Sequence, residues 1–488
     1  MPFSRGDGKR LGHLEATTIA IIAAILVYQL FIPPTIGLAD NGDFSRIMGA
    51  VGLEYTTSNR EDRHFNYFVP TYKFESSDEW DALVPTSENV LVLCAMAMNR
   101  LGSKTGLFDV RVLGALHVAL FLLAVWLLLR LSASLDLATR VVVSLLLVLV
   151  FCDVGYVAYF NSLYSEPGSF VFLFLALAAA IHLAKEPASL ARVAAWLAAS
   201  LLFLSAKPQN SLLGIPLAGY GFWIAYSRLT GGGRRRVLVV SSVALCLVSV
   251  AHHWSAPRWL VKYYLYNSVF FELLKYSPTP REDLRGLGLN PDLEKYKGTN
   301  IFSAGIPVEE PEFEAAFFNR INTAKLARFY LGHPSRLAGV AQRAAQAAFS
   351  LRPSYLGNFE KSRGLAPRAQ SQTFQLWSKL RESAAPRSAW FVGAFFMGNA
   401  MAALAVYVKT GSRHLRAVIV LHLVVVLMAI EQLLVTEAAC GQYELVKHLF
   451  LFNLLFDLCV CADVVLATAW LSSLHFRRAV APGAGPAG

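Results

Sequence analysis

Long apolar runs are the feature that most constrains this 488-residue chain. The stretch Val141–Phe151 would be apolar on every side of a helix, whereas a surface helix of a soluble protein keeps one polar face. A helix that spans a membrane needs roughly 20 mostly apolar residues. Ten segments meet this description: 16–33, 110–130, 140–156, 167–184, 190–206, 209–227, 237–255, 388–408, 416–435 and 447–472. The sequence therefore predicts an all-α polytopic membrane protein with about ten transmembrane helices.

The overall composition agrees with this prediction. Hydrophobic residues make up 55% of the chain and charged residues only 16%, whereas soluble globular proteins carry about 25% charged residues. These values exclude a soluble enzyme and a disordered protein. The net charge of +11 would suggest nucleic-acid binding on a soluble chain. Because a membrane protein sorts its basic residues by side, we expect no nucleic-acid partner here.

The basic residues of the short connections predict the orientation of the spans. With a cytoplasmic N-terminus, sixteen Lys and Arg residues lie inside, while the short outside connections carry only Lys207 and Lys447. This asymmetry predicts that both termini are cytoplasmic. The inside residues are Arg5, Lys9, Arg10, Arg130, Arg140, Lys185, Arg192, Arg228, Arg234, Arg235, Arg236, Lys409, Arg413, Arg416, Arg477 and Arg478. A cleaved signal peptide ending near Gly37-Leu38-Ala39 is the alternative for the first run, but its apolar length favours an uncleaved anchor.

Two long segments are then placed on the outer face, and they divide the chain. Residues 1–255 form an N-terminal transmembrane module with an acidic outer loop at 34–109, 256–387 form a larger outer loop, and 388–488 form a C-terminal transmembrane module. The larger loop is basic, with 19 Lys and Arg against 11 Asp and Glu. Either long loops simply escape the charge rule, or this loop meets phosphate headgroups or an anionic lipid-linked substrate. Its segment Thr323–Phe349 has helical spacing interrupted near Pro334, and it either lies in the membrane interface or packs on the bundle.

The first polar cluster of interest follows the first span. Asp40 and Asp43 flank an Asn-Gly pair, so two carboxylates three residues apart point into one small volume. Catalysis is one interpretation. An Asx turn that closes the exit from the membrane is the other, because Asp, Asn and Gly are the common turn residues.

The second cluster connects the third and fourth spans. Asp153 and Glu166 lie near the outer interface together with Asn161 and Tyr164. Ionisable groups at membrane depth are costly and often mark functional sites. The alternative is that tyrosine belongs to an interface belt and that Glu166 caps the next helix, where a negative charge is favourable.

Two further clusters carry basic residues toward the outer face. Lys207 and Gln209 follow the fifth span, where a lysine runs against the charge trend. Lys207 either holds an anionic phosphate or extends to the lipid headgroups. Lys447 and His448 lie at the outer end of the last predicted span, just before its apolar run Leu449–Phe456. They are candidates for phosphate binding, with ion pairing to Glu444 as the alternative.

The sequence contains neither a Walker loop nor a strand-linked GxGxxG, the motifs of soluble nucleotide-binding domains, and neither of the hydrolase motifs HExxH and GxSxG. Chemistry on the outer face would therefore need a donor delivered by the membrane, such as a sugar on a polyprenyl phosphate. Transfer from that donor requires a base for the acceptor hydroxyl and cationic or metal stabilisation of the departing phosphate.

Several of these residues lie in motifs that resemble a known family. The chain is similar to the GT-C superfamily of polytopic glycosyltransferases, and within it to bacterial glycan-biosynthesis hexose transferases of the Wsf type. The similar motifs are DNGDF at 40–44, YFNSLYSEP at 159–167, AKPQN at 206–210, NSVFFELLKYSPTPREDLRGLGL at 267–289 and KHLFLFN at 447–453. The resemblance implies a GT-C-like fold in a bacterial inner membrane and inverting transfer of a hexose from a polyprenyl-phosphate donor to a surface-glycan acceptor.

The resemblance also implies roles for individual residues. It makes Asp43 or Asp40 the catalytic base, and Asp153 or Glu166 the acid of a second outer loop. That second loop often carries two adjacent acids, whereas here Asp153 and Glu166 are well separated in the sequence. A divalent metal, with Asp40 and Glu166 as candidate ligands, is therefore left as an alternative to a metal-free site.

The resulting hypothesis is a membrane glycosyltransferase. In it, Asp43 deprotonates the acceptor, while Lys207 with Lys447 or His448 neutralises the donor phosphate. The substrate-binding candidates are Asp153, Asn161, Tyr164, Glu166, Lys207, Gln209, Lys447 and His448. A lipid-linked glycan flippase or transporter is the rival, and it would rely on ionisable residues within the spans, namely Asp457, Asp463, His117, His182 and His422. A glycan polymerase or ligase is chemically close and is not separated by the sequence.

Overall fold

The computed structural model describes residues 12–75, 86–102, 105–184, 189–229, 231–441 and 444–480. Among the basic residues used to orient the chain, Arg5, Lys9, Arg10 and Lys185 lie outside the described residues, as do the side chains of Arg477 and Arg478.

Helices dominate the described chain, and we number them in chain order. The first half contains α1 His13–Phe31, α2 Phe44–Val51, α3 Arg60–Arg63, α4 Ser87–Gly102, α5 Val110–Ser132, α6 Leu137–Phe151, α7 Val154–Val157, α8 Glu166–Leu183, α9 Leu190–Leu204, α10 Gly214–Arg228 and α11 Gly232–Trp254. The second half contains α12 Arg258–Tyr266, α13 Leu274–Tyr276, α14 Pro280–Gly286, α15 Pro311–Phe313, α16 Thr323–Gly332, α17 Pro334–Ala347, α18 Leu376–Ala384, α19 Ala389–Lys409, α20 Arg413–Cys440, α21 Leu445–His448 and α22 Phe450–Val480.

The all-α polytopic prediction is confirmed, and each of the ten predicted spans corresponds to a helix. In the part of the chain that the structure describes, seven helices are long and apolar enough to cross a membrane: α1, α5, α8, α11, α19, α20 and α22. An eighth span is formed if α6 and the helical residues Val154–Phe160, bent by 53° from it, are counted together. The other two predicted spans correspond to α9 and α10, which have 15 residues each.

Polar side chains begin several of the spanning helices. Asp136, Ser189 and Ser412 each accept a hydrogen bond from a backbone N–H in the first turn of α6, α9 and α20, respectively. Such caps satisfy donors that have no partner inside the helix. After α6 ends at Phe151, Asp153 caps α7 in the same way, accepting from the Gly155 N–H at 2.8 Å.

A small three-stranded sheet, which the sequence analysis did not predict, orders part of the first long loop. Its strands are β1 Glu54–Tyr55, β2 Thr71–Lys73 and β3 Leu107–Asp109, paired antiparallel in the order β1-β2-β3. Tyr72 in the central strand lies opposite Tyr55 and Phe108. All three side chains are buried. The strands are too short for periodicity to reveal them in the sequence.

The two long loops meet at one end of the helical bundle. The backbone N–H groups of Gly37, Ala39 and Phe68 donate to the carbonyl oxygens of Asn358, Gly357 and Phe359, respectively, at 2.9–3.1 Å. The opposite end of α1 is held by the ion pair between Glu15 and Arg140. The loops at 34–109 and 256–387 therefore lie on the same side of the bundle.

The segment Thr323–Phe349 contains the predicted interrupted helix, as α16 and α17. Arg336 and Arg343 of α17 point toward the protein, where Arg336 pairs with Asp283 at 3.1 Å and Arg343 pairs with Glu272. For α17, packing on the protein therefore prevails over an interfacial position. Lys325 and Arg328 of α16 remain exposed.

Candidate functional site

The turn after the first span is organised by Asp40, whose carboxylate is almost fully buried. Its Oδ1 accepts from the backbone N–H of Gly42 at 2.7 Å and of Phe44 at 3.0 Å. Its Oδ2 accepts from the Tyr55 hydroxyl at 2.6 Å and lies 3.3 Å from His64 Nδ1. Gly42 has φ +110°, a left-handed conformation that favours glycine. Asp40 therefore stabilises the turn, and its oxygens are occupied by groups of the protein.

Asp43, which follows this turn, lies between two cations. Its Oδ2 accepts a hydrogen bond from Lys447 Nζ, and its Oδ1 lies 3.0 Å from an Arg46 guanidinium nitrogen. The Lys447 side chain is fully buried, whereas that of Asp43 is 20% exposed. Burial alone would raise the pKa of the Asp43 carboxyl, but the charges of Arg46 and Lys447 outweigh it and hold that pKa well below its usual range. Asp43 is therefore ionised.

Lys447 has a second carboxylate partner, as the alternative interpretation anticipated. Glu444 Oε2 lies 3.4 Å from Lys447 Nζ and accepts from the side-chain amide of Asn41. Burial would lower the pKa of Lys447, but the nearby charges of Asp43 and Glu444 raise it above its ordinary value. The ammonium group therefore keeps its charge although it has no exposed surface.

Tyr164 fixes the position of the turn that carries these groups. Its hydroxyl donates to the Ala39 carbonyl at 2.8 Å and accepts from the Asn41 N–H at 2.9 Å. Its ring packs edge-on against Phe44 at 4.5 Å between centroids, and Lys447 Nζ lies 5.1 Å from the ring centre. Tyr164 therefore connects the DNGDF and KHLFLFN motifs, which lie at opposite ends of the sequence.

A second ion pair lies beside Tyr164. Glu166 begins α8, and its Oε1 accepts from Lys207 Nζ at 2.8 Å. Both side chains are largely buried. Ser165 is the N-cap residue of α8 and makes no side-chain cap hydrogen bond, and Glu166 is the first residue of the helix. A carboxylate in the first turn still interacts favourably with the helix dipole.

Gln209 and His448 link this region to α20. Gln209 Nε2 donates to Gln432 Oε1 at 2.8 Å, to Thr436 Oγ1 at 2.7 Å and to the His448 carbonyl at 3.2 Å. Burial, reinforced by the charges of Lys207 and Lys447, lowers the pKa of His448 well below its ordinary value. The His448 imidazole is therefore neutral at neutral pH, so it offers a hydrogen bond and no charge to a phosphate.

Two adjoining cavities meet at Asp43. The first, which we call the polar pocket, is lined by Asp43, Arg46, Ile47, Thr86, Leu163, Tyr164, Ser165, Glu166, Lys207, Pro208, Leu260 and Tyr264. The second, which we call the aromatic cavity, has a volume of about 520 Å³ and is lined by Asn41, Gly42, Asp43, Ser45, Arg46, Arg60, His64, Phe65, Trp259, Tyr263, Phe302, Glu444 and His448. Asp43 and Arg46 line both cavities.

Four of the predicted substrate-binding residues line neither described cavity: Asp153, Asn161, Gln209 and Lys447. Lys447 and Gln209 contact residues that do, Asp43 and His448 respectively. Asp153 accepts from the backbone N–H of Ser378 at 2.9 Å and from the Ser378 hydroxyl, which joins α18 to the bend after α6. Asn161 donates to the carbonyls of Leu30 and Ile36 at 3.0 and 2.8 Å, and so secures the chain where it leaves the first span. Both groups hold the scaffold around the site.

The residues around Asp43 do not match a divalent-metal site. Among the described residues, no three His, Cys, Asp or Glu side chains are grouped to hold a metal ion. Of the two candidate ligands, Asp40 is occupied by four protein groups and Glu166 is paired with Lys207. Lys447 and Arg46 supply positive charge beside Asp43, where a metal would otherwise supply it. We therefore derive no step through a metal.

Three of the ionisable residues named for the transporter alternative, Asp457, His117 and His422, have buried partners, whereas the Asp463 side chain is 41% exposed. Asp457 accepts from the Tyr156 hydroxyl and the Trp377 indole N–H at 2.6 and 2.7 Å, and it pairs with the buried Arg381. His117 contacts Glu88 Oε1 and the Phe160 carbonyl, both at 2.9 Å, and His422 contacts Asn399. These contacts agree with packing roles, which gives the transporter alternative no added support.

Several residues of the site were missed by the sequence analysis. Arg46 carries a recognisable pattern, because it lies three residues after Asp43 on one helical face. The aromatic residues Trp259, Tyr263 and Phe302 lie in a long loop, where nothing in their local pattern distinguishes them from ordinary packing.

We expect the substitution Asp40→Asn to weaken the fold. An amide nitrogen would replace one carboxylate oxygen and face the Tyr55 hydroxyl or the backbone donors, at a cost of about 1–2 kcal/mol. The measurement is thermal unfolding of the purified protein in detergent. Asp62→Asn, in the same loop, is the control, because Asp62 makes its ion pair with Lys361 near the surface. Equal midpoints for the Asp40 variant and the wild type would contradict the structural role of Asp40.

Comparison with known proteins adds a family match. The family described as "YfdI N-terminal transmembrane domain" matches residues 8–480. No curated protein matches the chain.

Two solved structures from Archaeoglobus fulgidus are also similar. One is the oligosaccharyltransferase in the apo form, at 14% identity and a TM-score of 0.41. The other is the oligosaccharyltransferase AglB in complex with an inhibitory peptide and a dolichol-phosphate, at 13% identity and a TM-score of 0.40. Each similarity covers 96% of this chain and 51% of the other, so the chain spans about half the length of these structures.

Proposed function

Since the chain belongs to the YfdI N-terminal transmembrane domain family, we propose that this membrane protein is a glycosyltransferase of GT-C type. In this proposal it transfers a hexose from a polyprenyl-phosphate donor to a surface-glycan acceptor. The reaction takes place on the outer face of a bacterial inner membrane, with both chain termini in the cytoplasm. The resemblance of the DNGDF, YFNSLYSEP, AKPQN and KHLFLFN motifs supports the donor and acceptor classes.

The position of Asp43 carries the proposal. This carboxylate lines both the polar pocket and the aromatic cavity, and it contacts two cations. A transferase that inverts the anomeric carbon needs an acceptor on one side of the reacting carbon and a leaving phosphate on the other. A base that faces both cavities and has cations beside it meets this requirement.

Binding of the donor would change the state of Asp43. In the structure Lys447 and Arg46 hold its pKa low, which makes the carboxylate a weak base. Arg46 lines the polar pocket, so a donor phosphate bound there competes with Asp43 for this cation. Once Arg46 pairs with the phosphate, Asp43 loses part of its stabilisation and its basicity rises toward that of an ordinary carboxylate. Donor binding therefore activates the base.

Transfer then follows with balanced bonds. The acceptor hydroxyl oxygen attacks the anomeric carbon, and a new C–O bond forms as its proton passes to the Asp43 carboxylate. The bond between the anomeric carbon and the phosphate oxygen breaks, and polyprenyl phosphate leaves with the electron pair. Arg46 and Lys207, which line the polar pocket, stabilise the charge that develops on the phosphate, and the buried charge of Lys447 beside Asp43 adds to this stabilisation. Glu166 orients Lys207 and contacts the donor sugar.

The direct test is transfer in a purified system. The protein in lipid nanodiscs is incubated with polyprenyl-phosphate hexose that carries a radiolabelled sugar. Envelope glycan from the bacterium in which the protein naturally occurs is added as the acceptor. We expect the label to move from the lipid fraction to the glycan, with release of polyprenyl phosphate. Nanodiscs without protein are the control.

Two other outcomes would replace the proposal. Label that crosses the membrane of sealed vesicles without forming a new bond would indicate a transporter. Transfer of a preassembled glycan in place of single hexoses would indicate a polymerase or ligase.

A further inference from the structure

Helix α12 contributes residues to both cavities, and its two faces differ. Trp259 and Tyr263 line the aromatic cavity, whereas Leu260 and Tyr264 line the polar pocket. Residues four apart lie on the same side of a helix, so each cavity receives one such pair. The short helix α12 therefore borders both cavities, with the aromatic pair Trp259 and Tyr263 on the aromatic cavity and Leu260 with Tyr264 on the polar pocket.

The segment that follows α12 in the chain holds this helix in place. Beyond α12 the chain continues as a π-helical turn over Asn267–Leu273 and then as α13. Asn267 is buried, and its Oδ1 accepts from the backbone N–H of Ile301 at 3.0 Å. That contact fixes the turn carrying Phe302, the third aromatic residue of the aromatic cavity. The cavity wall is therefore built from two segments tied together by a buried side chain.

The wall of the aromatic cavity combines flat aromatic faces with polar groups. Arg46 lies over the Trp259 ring, with its guanidinium carbon 5.4 Å from the ring centre. Asn41, His64 and His448 supply hydrogen-bonding groups. Sugar rings present apolar C–H faces and a rim of hydroxyls, so aromatic faces and peripheral polar groups together complement them. The volume of about 520 Å³ exceeds that of one hexose ring.

From this geometry we infer that the aromatic cavity is the acceptor site, and that it takes the end of an oligosaccharide with a sugar ring stacked on Trp259 and Tyr263. The inference rests on the proposed function, because it places the acceptor on the side of Asp43 opposite the donor phosphate. The terminal sugar then directs a hydroxyl to Asp43, and the next ring lies over the aromatic wall. Trp259 and Tyr263 determine which acceptor is used and take no part in the proton transfer.

The test separates acceptor binding from transfer. The probe is a set of oligosaccharide fragments that mild acid releases from the envelope glycan of the bacterium in which the protein naturally occurs. Their binding to the protein in nanodiscs is measured by calorimetry without donor, and acceptor and donor KM values are measured in the transfer assay. We expect Trp259→Ala to weaken fragment binding and to raise the acceptor KM, each by about tenfold, the size expected for one lost aromatic contact. The donor KM should stay unchanged.

Further variants keep the result interpretable. Tyr263→Ala should act in the same direction as Trp259→Ala, and Trp259→Phe should retain most of the binding because a flat ring remains. Trp254→Ala is the matched control, since Trp254 is 82% exposed at the end of α11 and lines neither cavity as described. If the Trp259→Ala protein does not fold, the Tyr263→Ala and Trp259→Phe pair decides the question.

The outcomes distinguish this inference from the proposed function. Fragment binding that depends on Trp259, in a protein that transfers no hexose, supports the acceptor site and overturns the transferase. Hexose transfer with an acceptor KM that neither Trp259→Ala nor Tyr263→Ala changes supports the transferase and overturns the acceptor site.

Discussion

Asp43→Asn is expected to lower kcat for hexose transfer by about 10³-fold, within the range that general bases contribute. An amide cannot take the proton of the acceptor hydroxyl. The donor KM should remain equal or fall, because Lys447 and Arg46 lose their carboxylate partner and become available to the donor phosphate. The measurement is steady-state transfer with the donor concentration varied. A loss of kcat without a rise in the donor KM is the pattern of a group that acts in the transition state.

Asp62→Asn is the control for this variant. Asp62 also pairs with a lysine on the loop side of the bundle, Lys361, but that lysine is 60% exposed and neither residue lines the described cavities. We expect it to retain wild-type kinetics. If Asp43→Asn keeps more than a tenth of the wild-type kcat while its unfolding midpoint is unchanged, Asp43 is not the base.

Lys447→Gln is expected to lower kcat/KM for the donor by about 10²–10³-fold, the loss typical for one group that stabilises developing negative charge. Most of this loss should appear in the donor KM if Lys447 binds the ground-state phosphate. It should appear in kcat if Lys447 acts only as the phosphate departs. The acceptor KM should change little in either case. The same kinetic assay, with each substrate varied in turn, gives all three values.

Lys361→Gln provides the matched control for Lys447. This variant also removes one positive charge, from the exposed Lys361 that pairs with Asp62. It therefore tests whether the net charge on this side of the protein is enough to attract the anionic donor. We expect donor kinetics close to those of the wild type. An equal loss of kcat/KM in the Lys361 and Lys447 variants would show that the effect comes from the electrostatic field of the whole protein. It would contradict a specific role for Lys447 in the site.

Hydrophobicity made the spanning helices predictable, because a helix that contacts lipid must be apolar over its whole length. The sequence places α5 near 110–130 and the structure begins it at Val110, where Asp109 caps the first turn. The three-stranded sheet could not be found in this way. It depends on Tyr72 packing between strands that are separated along the chain, and no local pattern encodes that contact.

The sequence identified most of the charged residues of the site, but not which of them form ion pairs with one another. Asp43, Glu166, Lys207 and Lys447 all stand out as charges near the membrane. The sequence did not show that Lys447 joins Asp43 while Lys207 joins Glu166, because those pairings depend on how the helices pack. Asp40 shows the converse difficulty. Its motif suggests catalysis as strongly as that of Asp43, and only the contacts of its carboxylate with Gly42, Phe44 and Tyr55 reveal its structural role.

The Asp43–Lys447 contact joins residues 404 positions apart, and this separation sets an order for biosynthesis. The loop that carries Asp43 is made early, whereas the residue that neutralises it is made shortly before the last helix. During membrane insertion Asp43 must therefore stay hydrated or pair with Arg46 alone, and the burial of Lys447 completes the centre. A ribosome that stalls before residue 447 leaves Asp43 without this partner, so the centre is completed only after Lys447 has been made.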